Sequence, residues 1–143
     1  MLTRNSGYLL AGLLVISAGP AALGGSSNSL MDVSPDGARL LVANPDNGTV
    51  TVVDLGRQMA LREIRIGDKA EAVSWVGNGP EAIAVSYTED LLVFFNAEDG
   101  KTLARLKTAA EPYGIVANKD GTTAWITHEY PGLVSEKIGR AHV

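Results

Sequence analysis

The sequence predicts an all-β fold made of consecutive propeller blades, and three observations predict it. The first is a period. Residues 31–72, 73–114 and 115 onward superimpose without gaps at a spacing of 42. The second is a turn dipeptide held at one place in that period: Asp36-Gly37, Asn78-Gly79 and Asp120-Gly121. The third is a pair of β-rich apolar runs per unit. Leu40–Ala43, Ala82–Val85 and Ala124–Thr127 align, and Thr49–Val53 before Asp54 aligns with Leu91–Phe95 before Asn96. A period near 40 with several short strands and one fixed turn per unit is how repeated propeller blades look in sequence.

Each element then follows from local chemistry. Period-2 alternation and β-branched residues mark strands in the first unit over 30–34, 38–43, 49–54 and 61–66. The second unit repeats them at 71–76, 81–86, 91–96 and 102–108, and the third offers 113–117, 122–127 and a stub at 133–136. Asn-Gly and Asp-Gly tolerate the positive φ of a tight hairpin, and Glu98–Lys101 supplies a further hairpin between third and fourth strands. The chain thus divides into a leader (1–24), a linker (25–30), a partial propeller (31–136) and a tail (137–143). The propeller comprises blades 31–70, 71–112 and 113–136, about two and a half blades of a ring expected to close with seven. An uncovered blade face and unpaired strand edges predict poor stability for such a segment alone.

The two ends read differently from the repeat. Arg4 followed by the apolar run Tyr8–Ile16 and the small residues Ala22 and Gly24 reads as a signal peptide cut near Gly24. That run is shorter than the ~20 residues of a bilayer crossing, so no transmembrane span is expected after cleavage. The location predicted is periplasmic or secreted. Ile138–Val143 resembles the translation of a sequencing-library adapter. Lys137 and Ile138 also stand where the repeat calls for an apolar residue and an Asp or Asn, so the tail is expected to be non-native.

Val33–Asn44, with its Ser34-Pro35-Asp36-Gly37 turn, resembles the YVTN-type β-propeller repeat of bacterial exported proteins. Thr49–Asp54 matches that family's second strand, and Glu111-Pro112-Tyr113-Gly114 its closing segment. The resemblance spans 31 to about 136 and is weaker in the second unit, where Trp75–Gly79 replaces the Ser-Pro-Asp-Gly run.

Composition narrows the function classes. Acidic residues outnumber basic ones by 16 to 12, giving a net charge of −4, which is not the clustered basic footprint of a nucleic-acid binder. The absence of cysteine excludes disulfides, thiolate zinc sites and a c-type haem attachment motif within this chain. No cofactor is indicated by these residues, and no Ser/His/Asp order, phosphate-cradling loop or His/carboxylate metal spacing is present.

Topology sorts the candidate residues. In a four-stranded meander the Asp-Gly turns and the strand three–four hairpins share one face. The 44–48, 86–90 and 128–132 connections, with the blade-to-blade segments 67–71 and 109–113, share the other, around the channel mouth. His128, at the position of Asn44 and Ser86, opens onto that mouth. So do Glu71 and Tyr113, where the YVTN-type family often has His. These four, Asn44, Glu71, Tyr113 and His128, are the ligand-binding candidates. Asp46–Thr49 has oxygen ligands but is too short for a calcium loop and reads as a hairpin. Trp75, Trp125, Phe94 and Phe95 are expected to pack between blades.

The function expected is non-catalytic: an exported propeller segment presenting a binding face to a protein, a cell-envelope component or a small ligand, completed by further blades of its own chain. Two readings from other classes compete. The resemblance extends to propellers of periplasmic redox proteins, such as d-type haem nitrite reductases, quinoprotein-like dehydrogenases and cytochrome c fusions. A propeller lactonase is possible by fold analogy.

Overall fold

A computed structural model describes residues 30–138, so the leader and residues 139–143 of the tail lie outside the described residues. Eleven strands and no helix are found among the described residues. They are β1 (Met31–Val33), β2 (Arg39–Asn44), β3 (Thr49–Asp54), β4 (Met59–Arg65), β5 (Ala70–Trp75), β6 (Glu81–Ser86), β7 (Leu91–Asn96), β8 (Thr102–Lys107), β9 (Pro112–Ala117), β10 (Thr123–His128) and β11 (Leu133–Ile138). Every strand end lies within two residues of the bounds read from the repeat.

The strands form three antiparallel meanders: β1-β2-β3-β4, β5-β6-β7-β8 and β9-β10-β11. These are two whole propeller blades and the inner three strands of a third. Irregularities recur at the repeat spacing too. The β3–β4 register shifts between Val52 and Val53, and the β7–β8 register between Phe94 and Phe95. Gly37, Gly100 and Gly121 have positive φ in the turns that the sequence marks for glycine.

Two apolar cores hold the blades together. Leu41, Ala43 and Val50 of the first blade pack with Val73, Trp75, Ala82, Ala84, Val93 and Phe95 of the second. Ile83, Val85 and Leu92 of the second pack with Ala124 and Ile126 of the third. The middle blade therefore buries both faces, and all six residues of β5 are buried. Burying a Val, Leu, Ile or Phe side chain contributes about 1.5–3 kcal/mol, so each blade contact is substantial without any polar bond.

Polar bonds nevertheless repeat between the inner strands. The Asp32 carboxylate accepts the Trp75 backbone N–H at 2.8 Å, and Ser74 Oγ accepts that of Ala117 at 3.2 Å. Ser74 stands 42 residues after Asp32, and Ala117 stands 42 after Trp75, so one latch is made twice with different side chains.

The third blade departs from the sequence reading in two places. Trp125 does not pack between blades. The alternation of β10 turns Ala124, Ile126 and His128 toward the second blade and leaves Trp125 39% exposed on the other side. And β11 does not stop at Glu136. It pairs with β10 through Ala124↔Lys137 and Thr123↔Ile138, so the outer edge of β10 is not left without a ladder partner. Lys137 lies beside Val76, Phe94 and Ala124, where its aliphatic stem stands in for the apolar residue of the repeat.

Candidate functional site

Around the channel mouth, two of the four candidate residues owe their placement to bulges. In β5, Ala70 pairs with Ser86 and Ala72 with Val85, leaving Glu71 out of the ladder. In β9, Pro112 pairs with His128 and Gly114 with Thr127, leaving Tyr113 out in the same way. A bulge re-aims the extra side chain, and these two are spaced by 42 residues. The results differ. Glu71 is buried and paired with Lys69 at 3.0 Å, whereas Tyr113 is 42% exposed.

Asn44 and His128 occupy equivalent positions at the ends of β2 and β10 and are both buried. Asn44 Nδ2 donates to Thr49 Oγ1 at 3.1 Å and Thr51 Oγ1 at 2.9 Å. His128 Nδ1 lies 2.9 Å from the Ala110 carbonyl, and Nε2 lies 2.8 Å from Ser135 Oγ. A carbonyl only accepts, so Nδ1 carries the proton and Nε2 takes one from the serine. Ser135 stands where Thr51 stands in the first blade. Both residues thus tie the second strand of a blade to its third, each within its own blade. Ser86, their counterpart in the second blade, faces Val93 at that position and instead donates to Glu89 at 2.7 Å.

A network that single residues did not announce crosses from the second blade to the third. Tyr87 Oη donates to Glu129 Oε2 at 2.8 Å, joining two residues at equivalent repeat positions. Lys69 Nζ sits 4.2 Å above the Tyr87 ring and also pairs with Glu71. The bond to Glu129, then burial, then the charges of Glu111, Glu129 and Glu71 push the Tyr87 phenol up to about 12. The 42-residue offset between Tyr87 and Glu129 was the available signal.

The larger openings lie on the opposite face, among the Asp-Gly turns. One cleft of about 430 Å³ runs along the ends of the three inner strands, walled by Asp32, Trp75, Asn78, Val116 and Lys119. A second, of about 330 Å³, opens between the first two blades, with Arg39, Asp54, Trp75 and Glu98 around it. Trp75 and Pro35 line both. None of the four mouth candidates lines either cleft. Among the described residues, no group of three or more His, Cys, Asp or Glu side chains is arranged to hold a metal ion. No helix among them is long and apolar enough to cross a membrane.

The fold defines the class: a β-propeller segment of consecutive four-stranded blades. No family model and no curated protein matches the chain significantly. Among solved structures, the hydrazine synthase of Kuenenia stuttgartiensis is similar in fold, with a TM-score of 0.68 over 76% of this chain and 21% sequence identity. The match covers 32% of that chain, so this protein spans less than a third of its length.

Proposed function

We propose that this protein is an exported, non-catalytic propeller segment of the YVTN type that presents a binding surface to a small ligand or an envelope component. The observation that carries the reading is the cleft at the turn end of the inner strands. It draws its walls from all three blades. It also combines a large aromatic side chain, Trp75, with a carboxylate, an amide and an ammonium group. Few convergent polar groups around an aromatic wall are what recognition sites are made of. Trp75 is held from behind by Asp32, so the wall is already organised before a ligand arrives, which lowers the ordering cost of binding.

Export rests on the Arg4–Gly24 leader, and the intact mass of material recovered outside the cytoplasm tests it. A mature chain that still carries Met1–Gly24 would refute that part. For binding, soluble envelope glycan fragments and short peptides are titrated into the labelled protein while the Trp75 indole resonance is followed. The reading expects saturable shifts at Trp75, Asn78 and Lys119 that Trp75→Phe weakens. Shifts confined to Tyr87 and Tyr113 would move the site to the mouth face, and shifts nowhere would refute it.

A further inference from the structure

In the first blade, Leu41, Ala43 and Val50 are fully buried against the second. Their equivalents Ile83, Val85 and Leu92 are buried against the third. One period further on, the same positions are Trp125, Thr127 and Val134, which are exposed, Val134 at 64%. Val116, at the position of Asp32 and Ser74, is 56% exposed. The outward face of the third blade is therefore the same surface that makes both established blade contacts, with nothing on it.

The first blade carries the complementary face. Val73 and Trp75 of the second blade are buried in its contact with the first. Their equivalents one period earlier are Met31 and Val33, which are 60% and 50% exposed. Each copy thus has one face that covers and one that is covered.

We propose that these two faces meet between two copies of this chain, head to tail, closing a ring. The faces differ, so the contact is heterologous, and such contacts either close or grow without limit. Propellers close with about 4–8 blades, and two copies of this three-blade unit make a ring within that range, while three copies exceed it. The junction between copies differs from the internal ones in one respect. Where Asp32 and Ser74 supply an oxygen to the next inner strand, Val116 supplies a methyl surface, so the junction is apolar and reversible.

The full chain is measured by sedimentation and light scattering across the micromolar range, with tryptophan emission followed in parallel. The expected result is a concentration-dependent species of twice the chain mass, with emission moving to the blue as Trp125 is covered. Trp125→Asp and Val33→Asp each place a charge in the junction and should weaken association about tenfold or more. Both positions are already exposed, so far-UV circular dichroism should match the parent, and Val134→Lys serves as a second probe of the third-blade face. Mixing the Trp125→Asp and Val33→Asp proteins should restore a one-to-one pair, because one junction then joins two unaltered faces. A monomer at every concentration, a dimer indifferent to these variants, a mixture that fails to pair or an open-ended assembly would each overturn the proposal.

Discussion

Asp32 holds Trp75 at two points. Its carboxylate accepts the Trp75 backbone N–H at 2.8 Å, and its own carbonyl accepts the indole Nε1–H at 3.1 Å. A residue on the first inner strand thereby fixes both the backbone and the ring of one on the second. That ring is the shared wall of the two large clefts.

Asp32→Ala should cost about 1–3 kcal/mol, since it leaves a buried Trp75 N–H without its charged acceptor. Asp32→Asn keeps an oxygen in place and should cost less. The midpoint of urea unfolding gives the ordering. Equal losses from the two variants would mean that the latch contributes little.

A graded glycine series tests the backbone. Gly79 has no positive φ, and a Cβ there would meet nothing within 4 Å, so Gly79→Ala should be close to neutral. Gly37 has φ of 72° in open space, so Gly37→Ala should cost about 1–2 kcal/mol of backbone strain alone. Gly48, at φ 69°, would in addition drive a Cβ into the Gly67 carbonyl, on the backbone of the segment that leads to the second blade. Gly48→Ala should therefore exceed both, as read from thermal or urea unfolding.

His128→Asn should behave like the first blade, where Asn44 already makes the equivalent bond to Thr51. His128→Ala removes both partners' bond and should cost about 2–4 kcal/mol more than the asparagine variant, because a buried acceptor and donor are left unpaired. Nitrogen-detected spectra of the imidazole should show the proton on Nδ1, as the Ala110 carbonyl requires.

Stability should fall at both ends of the pH scale for identifiable reasons. Ser86 and the Asp68 N–H hold the Glu89 carboxyl below its usual 4.5, the serine bond first, and hairpin bonds likewise lower Asp36, Asp99 and Asp120 below 3.8. These groups contribute stability above about 4.5 that is lost as pH drops through that range. Tyr87 runs the other way. Its folded value, about 12, lies above the ordinary 10, so its contribution is full below 10 and lost as pH rises toward 12. Tyr87→Phe should abolish the alkaline part of the unfolding profile, and phenolate absorbance should show one late-titrating tyrosine that is missing in the variant.

Much of the fold was legible because its information is periodic. Turn glycines, apolar runs and even the two inner-strand bulges recur at 42 residues, so the sequence alone placed every strand. The site was less legible, since its geometry depends on which equivalent residues meet across blades. Asn44 and His128 look alike in sequence position and prove alike in structure, as ties between strands. The Tyr87–Glu129 bond and the Asp32 latch involve pairs that local pattern cannot join, and only the offset of 42 relates them. Trp125 was misplaced for the same reason: alternation gives two sides to a strand, but not which side a neighbouring blade will take.

The latches also determine how load travels. Extensive strand contacts join only neighbouring blades, and the hydrogen bonds between inner strands span 42 or 43 residues. A chain stretched from its two ends would therefore carry tension through the blades in series, with no bypass from the first to the last. Rupture should proceed one repeat at a time, each event releasing about 140–150 Å of extended chain. The blade with a neighbour on one side only should yield before the middle one, whose two cores and two latches must fail together.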